Sequence, residues 1–270
     1  MSVKATLKQV IPLSAWKILH KTYSGIIHLP DLPSAYLHPW RRASMNCLAS
    51  LKNVHKGQRA VIIGNGPSLK QTDLSRLKAE FTFGLNRIYM MFPELGFGTT
   101  YYVAVNDLVI EQCIDDICAL PMPKFLSWRT HASFPSGPLP ANFLYTTYDN
   151  PAFAPDVRWR VWESATVTYV ALQLAFHMGF EQVILVGVDH NSNVLGKANT
   201  TIVSTGDDPN HFNPGYFGKG FRWQLPDFET SEIGYRLARK AYEADGRQVL
   251  DATIGGKLTV FPKVDYQSLF

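Results

Sequence analysis

Arg59-Ala60-Val61-Ile62-Ile63-Gly64-Asn65-Gly66-Pro67-Ser68-Leu69 is a short apolar run that breaks abruptly into Gly-Asn-Gly-Pro-Ser. Ala60 to Ile63 reads as a buried strand, and the glycines after it sit where φ is positive or where a ligand must come close. Pro67 pre-sets φ for the first turn of a following helix, and Ser68 can hydrogen-bond to free N–H groups there. Backbone N–H groups at such a helix start suit a phosphate. The plain alternative is a strand-to-helix turn without a ligand. The glycine spacing matches neither the dinucleotide fingerprint nor a Walker A loop, and no Gly-Lys-Ser/Thr comes after it.

Downstream, strands and helices alternate. Strands are expected at Phe81 to Leu85, Tyr101 to Val105, Phe125 to Trp128, Val183 to Val188 and Gln248 to Asp251. Helices are expected at Leu74 to Lys78, Leu108 to Leu120, Val167 to Met178 and Ser231 to Asp245. The third of these starts from Ser164 or Thr166 and stops at Gly179. Pro135 to Asp156, rich in Pro, Asn and aromatics, reads as an irregular excursion. Val183 to Val188 is too continuously apolar for a half-exposed strand and belongs at the centre of a parallel sheet. The fold class is therefore α/β, a doubly wound, mostly parallel Rossmann-like sheet with a long lid loop and a helical N-terminal extension.

The polar residues at the strand ends carry the functional signal. The first strand ends at Asn65, the second at Asn86, the third at Asn106-Asp107 and the central one at Gly187, Asp189 and His190. Open α/β sheets bind ligands beyond the carboxyl ends of their strands, so these residues should converge on one polar pocket. Asn carries both a donor and an acceptor and can hold phosphate, ribose hydroxyls and base edges without adding charge. Singly, each could be a turn residue. After His190, residues 191–221 form a long polar segment with little periodicity, which reads as a lid carrying Lys197, His211, Tyr216 and Lys219, with Arg222 just beyond. Such a lid could close over an anionic donor and supply a general base. His211 is the first candidate and His190 its rival.

The bulk numbers narrow the class. A chain of 270 residues, 46% hydrophobic and carrying a net charge of +4, can bury a proper core in one domain from residue 57 to 270, with residues 1–56 as a basic helical extension. No dense Lys/Arg stripe suggests nucleic acid. Cys47, Cys113 and Cys118 are odd in number and lack zinc spacing, as in a cytoplasmic protein with reduced thiols. No signal peptide and no membrane-spanning run is visible. The extension alternates Lys4, Lys8, Lys17 and Lys21 with Val10, Ile11, Trp16, Ile18 and Leu19. It reads either as a leader that rests on the anionic inner face of a membrane or as a helical segment packed on its own domain or a second subunit of a homo-oligomer. No His-x-His, Cys-x-x-Cys or Asp-x-Asp cluster marks a metal site, and no nucleophile elbow marks a hydrolase.

Gly64-Asn65-Gly66-Pro67-Ser68-Leu69, then Leu85-Asn86-Arg87, Asn106 with Glu111-Gln112, and Met178 to Asp189 (Met-Gly-Phe-Glu-Gln-Val-Ile-Leu-Val-Gly-Val-Asp) form an ordered set. This set is similar to the donor-site motifs of the bacterial sialyltransferases of glycosyltransferase family 42. The Gly-x-Gly-Pro-Ser-Leu and Gly-Val-Asp blocks also resemble the MptE-like superfamily, which includes 6-hydroxymethylpterin diphosphokinases and Maf flagellin glycosyltransferases. The resemblance covers about residues 57 to 262. It implies donor-site roles for Asn65, Asn86, Asn106 and Asp189 around a CMP-linked sugar, and a lid histidine as base. Asn213-Pro214-Gly215 departs from the sialyltransferase pattern after His211, and Tyr216 is only a candidate counterpart of that family's lid tyrosines.

Pocket and resemblance together point to a transferase that takes a nucleotide-activated, CMP-linked, sialic-acid-like sugar to a glycan or protein acceptor in surface glycan assembly. His211 and Tyr216 would be catalytic. Gly64, Asn65, Gly66, Pro67, Ser68, Asn86, Asn106, Asp107, Thr166, Gly187, Asp189 and His190 would bind substrate, with no cofactor required. One alternative is a diphosphokinase that moves pyrophosphate from ATP to 6-hydroxymethylpterin, with Asp107 and Asp189 around Mg²⁺. A second is a non-catalytic nucleotide-binding protein that uses the same pocket.

Overall fold

A computed structural model of the chain describes residues 26–194 and 196–270. The basic leader expected over residues 1–25 lies outside the described residues. The described part of the N-terminal segment is helical, with α1 at Leu32–Leu37 and α2 at Pro39–Ser50. α2 starts at a Pro in its first turn, and His38 caps it by accepting from the Trp40 N–H. This helix is woven into the core. Trp40 stacks on Phe143 at 5.9 Å, the Ser44 hydroxyl accepts from the Phe143 N–H at 2.9 Å, and Leu48 is fully buried.

Eight strands form the central sheet. They are β1 (Arg59–Ile63), β2 (Phe81–Leu85), β3 (Tyr101–Ala104), β4 (Lys124–Ser127), β5 (Asn142–Thr147), β6 (Arg160–Trp162), β7 (Gln182–Val186) and, after a separate ribbon, the strand at Gln248–Asp251. That ribbon pairs β8 (Thr201–Val203) with β9 (Arg222–Gln224) in antiparallel fashion, which makes the eighth sheet strand β10. The order is β10-β7-β1-β2-β3-β4-β5-β6, and every neighbouring pair in it is parallel.

Strand residues alternate between the two faces, so the core sorts into two clusters. Ala60, Ile62, Phe83, Val103 and Leu185 lie in one; Val61, Ile63, Tyr102, Ala104 and Val186 lie in the other. Two covered faces are what an all-parallel sheet needs. The first face is covered by the helix at Val167–Met178 and by the later one at Phe228–Ala244. Ten of the twelve residues of the former are buried, because it is held between the sheet and the latter. The second face is covered by the 3₁₀ turns at Pro67–Gln71 and Leu74–Ala79 and by the short helices α3 (Phe92–Leu95), α4 (Asp107–Gln112) and α5 (Ile114–Ala119). The two long helices are thus α6 and α7.

Five elements differ from the sequence expectation, one of them β6 at Arg160–Trp162, a strand absent from that expectation. Leu74–Ala79 is a 3₁₀ turn, and the helix expected over 108–120 breaks at Cys113, whose φ and ψ (−125° and 23°) leave the helical region. The stretch expected to be irregular contains β5, whose Phe143, Leu144 and Tyr145 are buried. Pro138, Pro140 and Pro151 flank β5 and hide it from a composition reading, although none falls within it. The lid is not structureless either, since β8 and β9 give it an antiparallel stem.

The topology locates the site. From β1 the chain steps outward through β2 to β6, and α6 then carries it back to β7 on the opposite side of β1. The order reverses between β1 and β7, and crevices beyond the carboxyl ends of strands at such a reversal are where ligands bind.

Candidate functional site

A cleft of about 300 Å³ opens at that reversal. Gly64, Asn65 and Gly66 after β1, Asn86 after β2, Asn106 after β3, and Gly187, Asp189 and His190 after β7 all line it. Thr166 at the start of α6, and His211 and Tyr216 from the lid, complete the set of expected residues in its wall. Pro67, Ser68 and Asp107 do not line it, nor do Lys197 and Lys219.

The glycine turn is built for close packing against β7. Neither Gly64 nor Gly66 has positive φ; Gly66 lies at φ −69° and ψ 160°. A Cβ on Gly64 would overlap the Gly187 carbonyl, and one on Gly66 would overlap the Asp189 carboxylate. What approaches closely is the protein itself. Asp189 accepts from the Ser68 N–H at 3.1 Å and from the Ser68 hydroxyl at 2.6 Å. The Gly66 N–H donates to Gly187, the Leu69 N–H donates to Gly66, and Pro67 has no N–H. The anion site expected at Gly66 to Ser68 is therefore filled from within by Asp189. Burial raises the Asp189 carboxyl above its ordinary range, against the opposing pull of the two Ser68 donors.

The strand-end asparagines have mixed duties. Asn65 donates through Nδ2 to Leu85 O at 3.0 Å and joins the ends of β1 and β2, while its backbone O accepts from the Phe212 N–H of the lid at 2.9 Å. Asn86 adopts φ +46°, which Asn tolerates better than most residues. The Oδ1 atoms of Asn65 and Asn86 are both buried without a hydrogen-bond partner among the described residues. Each such orphan costs about 1–3 kcal/mol. Asn106 caps α4 by accepting from the Val109 N–H at 3.2 Å and reaches Gln224 of β9 at 3.4 Å.

The turn from β6 into α6 forms another wall. Ser164 and Ala165 both have positive φ, at 45° and 56°, a strained arrangement for residues with a Cβ. Ala165, Thr166, Val167 and Thr168 line the cleft, and Thr166 caps the helix through the Thr168 N–H. The first turn of α6 has no acidic residue, and the carboxylate that precedes it, Glu163, is paired with Arg129, so the positive end of this helix faces the cleft.

His211 hangs from the roof. Its Nδ1 lies 2.6 Å from Oδ2 of Asp208, whose side chain is 2% exposed against 21% for the histidine. A carboxylate only accepts, so Nδ1 carries a proton, and Nε2 is the ring nitrogen that Asp208 does not hold. The ring stacks on Tyr216 at 4.0 Å and 8°. Tyr216 is fully buried, its hydroxyl accepts from the Arg87 N–H at 3.3 Å, and burial raises its phenol far above the ordinary value. It is placed as a platform under His211. Arg87 anchors this part of the lid by donating to the carbonyls of Gly215 and Tyr216. His190, at φ +53°, turns into a wall where it meets Glu232 at 3.3 Å and Phe228 at 4.6 Å, and burial lowers its pKa against the pull of Glu232.

Three further residues escaped the sequence reading. Glu163 lines the cleft with its side chain 3% exposed and accepts from Arg129 at 2.7 Å. Arg129 also pairs with Asp107 at 3.0 Å and packs over the Tyr148 ring at 4.3 Å. Tyr148 lines the cleft as well. Only the fold brings residues after β4, β5 and β6 together, and no spacing announces it. By contrast, the Asp208–His211 pair, three residues apart, could have been read from the sequence.

Asp107 and Asp189, the carboxylates a diphosphokinase would gather around Mg²⁺, are engaged separately, with Arg129 and with Ser68. Among the described residues no group of three His, Cys, Asp or Glu side chains could hold a metal ion, and no helix is long and apolar enough to cross a membrane.

No family model matches the chain, and no curated protein does. Among solved structures, the MAf glycosyltransferase from Magnetospirillum magneticum AMB-1 is similar to it at 15% identity with a TM-score of 0.49. The match covers 85% of this chain and 39% of that one, so the chain spans well under half the length of that neighbour.

Proposed function

We propose that the chain is a glycosyltransferase whose cleft binds a nucleotide-activated sugar, CMP-linked and sialic-acid-like, and passes the sugar to a glycan or protein hydroxyl. One observation carries this reading. One cleft at the sheet's reversal point is lined both by a helix start with no acidic residue in its first turn and by a histidine whose Nδ1 is held by a buried carboxylate. The first suits the phosphate or the carboxylate of the donor, and the second suits removal of a proton.

In the proposed reaction, His211 Nε2 takes the proton from the acceptor hydroxyl. The freed oxygen pair forms the new bond at the anomeric carbon, and the bond from that carbon to the phosphate oxygen breaks. The nucleotide leaves with that electron pair, and the positive end of α6 steadies its charge. Asp208 stabilises the imidazolium that forms, and the roof excludes water that would otherwise hydrolyse the donor. Asn65, Asn86 and Asn106 supply neutral donors and acceptors to the nucleoside.

The test is a thermal-shift and calorimetric comparison of CMP, CDP, UDP, GDP and ATP, each with and without Mg²⁺. A ligand at ~100 times its dissociation constant should stabilise the fold by roughly 2.7 kcal/mol. Metal-independent preference for CMP is the expected result. Magnesium-dependent preference for ATP would replace this reading with the diphosphokinase.

A further inference from the structure

The walls of the cleft differ in chemistry, and the difference reaches beyond nucleotide binding. At its β5–β6 end Arg129 is spent entirely within the protein. Its Nε and Nη2 donate to Asp107, its Nη1 to Thr146 and Glu163, and its Nη2 also to Val105 O and the Tyr148 hydroxyl. No guanidinium donor is left over for a phosphate. What lines the cleft at this end is Glu163, whose carboxylate is held by Arg129 with its side chain 3% exposed, and beside it the ring of Tyr148. Arg129 covers the Tyr148 ring at 4.3 Å, yet the residue remains 51% exposed.

A carboxylate disfavours a phosphate or another carboxylate and favours hydroxyl or amide donors. An aromatic ring with an open side favours the apolar C–H surface of a ring laid against it. Together these are the two halves of a sugar's surface, its hydroxyl edge and its C–H side. Resting on the nucleotide-sugar reading above, we propose that Glu163 and Tyr148 form the subsite for the hydroxyl-bearing ring of the transferred sugar. In this arrangement the donor's anionic groups lie at the start of α6 and its hydroxyls at Glu163. Arg129 is a positioning residue that acts through Glu163 and Tyr148.

Calorimetry with two probes, CMP and CMP-N-acetylneuraminate, on the wild-type chain, Glu163→Gln and Tyr148→Ala tests the assignment. Both variants should bind CMP within about twofold of wild type, which also shows that they fold. Each should bind the sugar nucleotide about tenfold or more weakly than wild type, the scale of one lost hydrogen bond to a charged group or one lost ring contact. Loss of CMP and sugar-nucleotide affinity in parallel would place Glu163 at the nucleotide and overturn the subsite. Unchanged affinity for both probes would overturn it too, while the nucleotide-sugar reading stands. A wild-type chain that binds neither probe would remove that reading and the subsite with it. If Glu163→Gln fails to fold, Glu163→Asp, which keeps the charge and withdraws it by one methylene, is read in the same way.

Discussion

The floor of the cleft and its roof are built on opposite plans. In the floor, the Gly64-Asn65-Gly66-Pro67-Ser68 turn and the β7 end lock onto each other: Asp189 takes both Ser68 donors, and Gly66 has room for nothing larger than hydrogen. In the roof, His211 is held from behind by Asp208 and from below by Tyr216, and it faces the cleft. The residues that look most like a ligand motif in the sequence therefore serve chiefly to bring β1 and β7 together. Groups free to act on a ligand come from the lid and from the β6–α6 turn. A motif can mark where a site is without being the surface that touches the substrate.

That division makes opposite demands on two substitutions. His211→Ala should lower the rate of sugar transfer by about 10²–10⁴-fold and leave nucleotide affinity nearly unchanged, since a general base contributes to that extent and the ring only lines the cleft. Transfer kinetics beside calorimetry check it, and full activity in the variant would remove His211 from the reaction. Gly66→Ala should act on the fold instead. A Cβ there overlaps the buried Asp189 carboxylate, an overpacking that should cost about 3 kcal/mol in urea unfolding. A loss near zero would mean that the floor is not the tight unit described.

Legibility in the sequence divides along the same line. The central strand, expected over 183–188 and found at Gln182–Val186, stood out for its continuous apolar run, and those at 81–85 and 248–251 stood out through the alternation of strands with helices. Convergence of Asn65, Asn86, Asn106 and Asp189 came from strand order alone. β5 was hidden because proline-rich flanks dominate its window, and the lid stem because β8 and β9 are three residues each and half exposed. Asp189's partner could not be read from the sequence, because Ser68 lies 121 residues away. The Arg129–Glu163 pair likewise joins the ends of separate strands, and a buried charge pair leaves no periodic trace.

Asn106 tests the border between floor and roof. It caps α4 and also reaches β9, so Asn106→Ala should cost about 1 kcal/mol of stability and weaken nucleotide binding as well. Unchanged affinity with the stability loss alone would leave Asn106 a cap and nothing more. The smallest effect concerns pH. Burial raises the Asp189 carboxyl above its ordinary 3.8, so the proton is held more tightly in the folded chain than in the unfolded one. Asp189's contribution is full below that ordinary value and declines as pH climbs through the folded one. Stability of the wild type relative to Asp189→Asn should accordingly be greatest in acid and decline with rising pH. A relative stability that rises with pH would contradict the burial argument.

Hydrogen exchange of the full chain with and without saturating CMP tests the division most directly. Amides of Gly64, Gly66, Ser68 and Leu69 should be protected without ligand, since Gly64, Gly66 and Leu69 donate to backbone carbonyls and Ser68 donates to Asp189. CMP should then add protection at residues 165–168 and across the lid from 208 to 217. If CMP instead protects Gly64 to Leu69 and leaves the lid and the α6 start unchanged, the floor is the ligand surface and the division drawn between the two regions is wrong.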